Sequence, residues 1–234
     1  MTSYDDLWRS SWGNLQCCGP VHRHLREDLV RLVRSLGVRT VLDVGCGSGD
    51  NLAALAEIGD LDLAGVDVSS EALALAQRRV PGARLALLDA QHDMLAEKFD
   101  LVMSLQVVEH LLDDIAALRN MARMARSWVF VSTLKGRMRQ SELAIGHVRN
   151  YGSVELRQKC EVSGLQVVHM SGWGFPFYSP MYRTVSEWLP GGPPTDPSGP
   201  VGRLAAWTLY QLYRLNWPGR GDVLSVLARP VEAP

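Results

Sequence analysis

Three glycines at alternate positions, in Asp43-Val-Gly45-Cys-Gly47-Ser-Gly49, constrain this chain more than any other feature. Glycine is required where the backbone turns tightly and where a ligand must approach the main chain with no Cβ in the way. The stretch leading in from Thr40 is short, apolar and β-prone, and the stretch after it carries Leu52, Leu55 and Ile58 at helical spacing. The reading is strand, glycine turn, helix. Units of this kind build parallel sheets, whose ligands bind at the carboxyl ends of the strands.

The same alternation continues. Residues 61–68, 83–88, 99–105 and 128–133 read as further strands, with helices predicted over 70–79 and 108–124. Three of the strands end on polar residues, Asp67, Asp89 and Gln106. A helix near 154–163, a strand near 165–170, an aromatic stretch with Gly and Pro over 172–180, a Pro/Gly loop over 190–200, a helix over 204–216 and a last strand over 222–229 complete the pattern. Ahead of the turn, Leu25, Leu29, Leu32, Val33 and Leu36 predict an amphipathic helix stopped by Gly37, and Trp8 and Trp12 a short aromatic-striped one. The fold class expected is α/β: a Rossmann-like, doubly wound, mostly parallel sheet of about seven strands with helices on both faces.

At 234 residues the chain suits one domain. Lys plus Arg number 24 against 25 for Asp plus Glu, so no global field favours nucleic acid. The 21 arginines are scattered rather than clustered. No stretch approaches the ~18 apolar residues of a membrane span, and Met1-Thr-Ser-Tyr-Asp-Asp does not resemble a signal peptide; a cytoplasmic protein is expected. The four cysteines form no CxxC, and His22 and His24 are two apart and share no helix face, so no metal is expected near Cys17 and Cys18.

Asp67 lies 18 positions beyond Gly49 and ends the second strand, where a carboxylate can accept from the cis hydroxyls of a ribose. Its competing role, a helix N-cap, is better filled by Ser69 or Ser70. Asp89 ends the third strand within reach of an adenine edge; the competing role is a solvated turn.

Together the glycine turn, Asp67, Leu-Asp89-Ala90 and the run Phe99-Asp-Leu-Val-Met-Ser-Leu-Gln-Val-Val-Glu-His110-Leu resemble the class I S-adenosylmethionine-dependent methyltransferases. Within them the chain is most similar to the small-molecule branch that includes the quinone-biosynthesis enzymes, over residues 40–170. The resemblance implies that Gly45, Cys46 and Gly47 contact the methionyl part of S-adenosylmethionine, with Asp43 and Gly49 in the same turn. Asp67 would hold the ribose, Val68 and Ala90 the adenine environment, and Asp89 its amino group. Leu105 and Gln106 would lie beside the sulfur. It divides the domain into an N-terminal helical cap (1–38), a cofactor-binding core (39–170), an aromatic and Pro/Gly-rich insertion (171–220) and the last strand with its tail (221–234).

Other classes fit less well. Dinucleotide turns run G-x-G-x-x-G rather than G-x-G-x-G. A short-chain reductase needs Tyr four residues before Lys, and Met94, Val131 and Glu155 stand there instead. The fourth strand lacks the Asn/Asp-Pro-Pro-aromatic signature of methyltransferases acting on adenine or glutamine.

The expected activity is methyl transfer to an oxygen, less favourably a nitrogen or carbon, of a small metabolite; the alternative is a catalytically silent binding protein of the same fold. A hydroxyl acceptor needs a base, and histidine suits neutral pH. His147, in Gly146-His-Val-Arg-Asn-Tyr151, and His110 are the candidates, with Tyr151 as a partner of His147; Arg149 either anchors an acidic group or is solvated. The aromatics from Trp173 to Tyr213 either line a pocket for an acceptor with an apolar or ring portion, or cover the sheet or a homodimer interface.

Overall fold

The computed structural model describes residues 19–188 and 199–231. Seven strands form one sheet: β1 (Thr40–Val44), β2 (Asp62–Asp67), β3 (Arg84–Leu87), β4 (Phe99–Leu105), β5 (Ala125–Leu134), β6 (Leu165–Trp173) and β7 (Val223–Pro230), in the order β3-β2-β1-β4-β5-β7-β6. β7 runs antiparallel to both of its neighbours, and the pairings from β3 to β5 are parallel. The expected doubly wound sheet is therefore present. The chain starts at β1 and winds outward in both directions, which opens a crevice between β1 and β4 at their carboxyl ends.

Helices cover both faces because each contributes one apolar stripe. On one face α1 (Pro20–Leu36) buries Leu25, Leu29 and Val33, and α2 (Asp50–Ala56) buries Leu52 and Leu55. α3 (Ser70–Arg79) is capped by Ser69, whose hydroxyl accepts from the N–H of Ala72. On the other face α4 (Asp114–Met124) supplies Leu118, Met121 and Met124, while α6 (Ser153–Val162) supplies Leu156 and Cys160. Each fully buried Leu or Met contributes about 1.5–3 kcal/mol. Between β5 and α6 lies the short α5 (Gln140–Ala144). α7 (Arg183–Trp188) and α8 (Pro200–Tyr213) precede β7.

One expectation needs correction, and one pair of alternatives is narrowed. The helix over 108–124 is broken: a 3-10 turn (Val108–His110) is followed by extended Leu111, and α4 begins only after the Asp113 cap, whose carboxylate accepts from Ala116 N–H. Asp113, the first of two adjacent acids, offers the helix a side-chain cap that a continuous helix from residue 108 would forgo. The late aromatics also do not face the crevice. His24 of α1 stacks on Tyr210 at 4.5 Å, and Trp173, Tyr178, Tyr182 and Tyr213 pack ring against ring at 5.7–6.3 Å. Tyr210 Oη donates to Glu27, so α8 is fastened onto α1. The Trp8 and Trp12 stripe and most of the Pro/Gly loop lie outside the described residues. No helix among those described is long and apolar enough to cross a membrane.

Candidate active site

A cleft of about 310 Å³ opens at the carboxyl ends of β1, β2, β3 and β4. Its floor is the glycine turn. Gly45, Gly47 and Gly49 have φ of 77°, 53° and 78°, the left-handed region where a Cβ is costly. At Gly45 space is closed as well: an added Cβ would lie 2.4 Å from a methyl of Val107.

One carboxylate sets the turn's shape. Asp67 accepts from Gly47 N–H at 2.8 Å through one oxygen and from Ser69 N–H at 2.9 Å through the other, and it lines the cleft. Asp89 has turned toward its own loop, accepting from Gln91 N–H at 2.9 Å and from the Gln91 amide. Gln106 holds a left-handed φ of 57°, uncommon for a residue with a side chain, and is pinned there by its N–H to Ser132 O at 2.7 Å.

His110 stands in the cleft wall. His147 is buried behind it, the two rings edge to face at 4.5 Å. Glu109 is fully buried, accepts from Thr133 Oγ1 at 2.8 Å, and its carbonyl takes the N–H of Val148 at 2.9 Å, which draws the segment bearing His147 against the 3-10 turn. A donor atom from each of Glu109, His110 and His147 lies within 4.8 Å of the others, a set that can share a proton and whose chemistry would also suit a divalent cation. Burial and the neighbouring His147 push His110 down to about 4, and burial lowers His147 too. Burial raises Glu109 to about 7. Both imidazoles are thus neutral at pH 7.

Residues 42–130 match the family described as a methyltransferase domain. The ubiquinone biosynthesis O-methyltransferase of Methylococcus capsulatus is 31% identical over 151 residues, covering 61% of this chain and 63% of that protein. The one of Hydrogenovibrio crunogenus is 27% identical over 162 residues, covering 62% and 64%. The alignment thus spans a little under two thirds of these relatives' length. Among solved structures, the N-methyltransferase NodS from Bradyrhizobium japonicum, in complex with S-adenosyl-L-homocysteine, superposes with a TM-score of 0.62 at 20% identity, over 98% of this chain and 94% of that one.

Eight of the residues expected to hold the cofactor line the cleft: Gly45, Cys46, Asp67, Val68, Asp89, Ala90, Leu105 and Gln106. Three lie beneath it. Asp43 is wholly buried in β1, where burial and Asp67 raise its carboxyl to about 7. Gly47 is bound to Asp67, and Gly49 is packed on Ala76 as the left-handed cap of α2. Tyr151 is not turned to His147: its hydroxyl lies 2.7 Å from Asp114 and 3.0 Å from Val108 O. Arg149 is paired with Asp114 at 2.8 Å. The sequence reading missed His22, Leu25 and Arg26 of α1, which close the cleft over the glycine turn. His22 and Arg26 are four apart, the spacing of one helix face, but only the docking of α1 shows where that face points.

Proposed function

We propose that this chain transfers a methyl group from S-adenosylmethionine to a hydroxyl oxygen of a small acceptor. The observation that carries the reading is the cleft itself: a glycine floor closed by Val107, a β2 carboxylate, the Asp89 carboxylate just past β3 and a histidine wall in one 310 Å³ space. Donors and contours suit the cofactor. Gly45 and Cys46 offer bare backbone to its methionyl part, Arg26 a cation to its carboxylate, Asp67 a carboxylate to the ribose hydroxyls, and Val68 and Ala90 apolar surface to the adenine. Bound there, the cofactor supplies a sulfonium-borne methyl group, so little covalent chemistry falls to the protein.

The chain's part is to align the acceptor and accept its proton. His110 faces the cleft and takes that proton; His147 stands behind it and fixes its ring. An imidazole held near 4 is a weak base, and a weak base serves an acidic hydroxyl, such as a phenol or enol, better than an alkyl alcohol. The test is calorimetry with S-adenosylhomocysteine followed by transfer of labelled methyl to a panel of phenols and alcohols. Tighter binding of NAD than of S-adenosylhomocysteine, or label on alkyl alcohols alone, would overturn the reading.

A further inference from the structure

At the end of the sheet opposite the cofactor cleft, the segment before β4, the last turn of α4, the corner between α6 and β6 and the end of β7 enclose an open groove of about 1120 Å³. Cations scattered along the sequence meet there. Lys98, Arg119, Arg123, Arg126 and Arg229 line it, all of them exposed, and no aspartate or glutamate does. The whole chain has a net charge of -1, so five cations on one concave surface make a local positive field that the composition does not.

Local structure accounts for part of the cluster. Arg123 lies in the last turn of α4, where a cation suits the helix dipole, and Arg126 stands 3.6 Å from Asp100. The remainder has no such support. Arg119 is four positions from Arg123, the spacing at which like charges on one helix face repel, and among the described residues Lys98, Arg119 and Arg123 pair with no carboxylate. The acids on either side of Lys98 in the chain are engaged elsewhere. Glu97 accepts from Arg84 at 2.5 Å, and Asp100 from the backbone N–H groups of Arg39 and Thr40 at 3.0 Å each.

Between the cations the lining is apolar. Ala122 is buried, and half-buried Trp128 carries the guanidinium of Arg229 over its ring at 4.3 Å. Met94, Val162 and Val231 are exposed around them. An apolar floor holding a stacked Trp and Arg within a charged rim is the anatomy of a protein–protein interface. A membrane surface fits less well, because it takes apolar side chains that protrude, and here they line a concavity.

We propose that this groove docks an acidic, amphipathic segment of a partner protein, whose carboxylates meet Lys98, Arg119 and Arg123 and whose apolar side chains meet Trp128. The groove and the cleft lie at opposite ends of the strands, so docking leaves the cofactor site untouched and stands independently of the methyl-transfer reading.

The probe is a dye-labelled peptide of about 16 residues, glutamates with leucines three and four apart, followed by fluorescence anisotropy beside a counterpart with lysine in place of glutamate. Wild type should bind the acidic peptide with a Kd of about 10–100 μM and the lysine peptide roughly 10-fold more weakly or worse. Affinity should fall as salt rises from about 50 to about 500 mM. The double variant Arg119→Glu/Arg123→Glu should lose about 10-fold or more in affinity, and Arg119→Gln/Arg123→Gln less. Both should keep the wild-type Tm and the wild-type affinity for S-adenosylhomocysteine; if the glutamate pair fails to fold, the glutamine pair carries the measurement. Equal binding of the two peptides, no binding of the acidic one up to about 1 mM, or an affinity indifferent to the arginine substitutions overturns the proposal. Tighter binding of phosphatidylglycerol vesicles or of a single-stranded oligodeoxynucleotide than of the acidic peptide overturns it too, and assigns the groove to a membrane or to nucleic acid.

Discussion

Asp67 carries two duties at once, and its substitutions separate them. It is the acceptor for one backbone N–H of the glycine turn, at Gly47, and one at the start of α3, at Ser69, and it lines the cleft with the same carboxylate. Asp67→Ala should weaken S-adenosylhomocysteine by about 2–3 kcal/mol by calorimetry. It should also lower Tm, since Gly47 and Ser69 lose their partners. Asp67→Asn, which keeps one acceptor oxygen, should recover part of the stability and less of the affinity. Unchanged affinity in Asp67→Ala would remove this residue from the site. At Gly45 the obstacle is steric and conformational together. Gly45→Ala should cost about 1–3 kcal/mol in denaturant titrations, and adding Val107→Ala should return only the steric share, because the φ of 77° remains.

At the scale of elements, the 3-10 turn does what an unbroken helix would not. By ending at Leu111 it leaves His110 in the cleft wall and Glu109 pointing inward to Thr133. His110→Ala should therefore lower kcat by ~10² to 10⁴ with little change in cofactor affinity, the range for losing a general base. His147→Ala should cost less, acting through the orientation of His110. The reverse order of effects would make His147 the base. The helix α8 is a cover: it is bonded to Glu27 and stacked on His24 of α1, so deleting it should loosen α1 and with it Arg26. Loss of cofactor binding together with acceptor binding, seen by calorimetry, is the expected outcome.

Across the whole molecule, buried groups of opposite kinds set the response to pH. Asp43 and Glu109 are raised to about 7 from 3.8 and 4.5. Between about pH 4 and 7 the folded state thus holds more of their protons than the unfolded one, and stability falls as pH rises through that window. His22 and His110 are lowered to about 4 from 6.5, and His147 is lowered as well. For these the unfolded state binds more protons, so stability rises with pH up to about 6.5. Three histidines oppose two carboxyls below that point, and above it only the carboxyls act. Tm should therefore decline from about pH 6.5 toward about pH 8. Asp43→Asn should flatten the alkaline decline; a profile that climbs steadily to pH 8 would contradict the assignment of these buried charges.

The local grammar of this chain was sufficient for the strands, the glycine turn and the acids that end β2 and β3, because each depends on residues within one strand-turn-helix unit. Period-2 and period-3.6 patterns, the Ser69 cap and the need for φ above zero are properties of short range. The sequence alone therefore determined the sheet, the cleft's position and eight of its lining residues. What only the tertiary structure decided depends on elements far apart in the chain. The docking of α1 brings His22 and Arg26 over a turn 20 residues later, and Asp114 claims both Tyr151 and Arg149 across more than 30 positions. Arg183 reaches back to take the hydrogen bond of Glu142, and Arg139 meets Glu142 and Glu187 only as ion pairs at 3.8 and 3.7 Å. Which of several chemically equivalent arginines is satisfied is a competition for a few carboxylates, and the winner is set by distances that exist only once the sheet has closed.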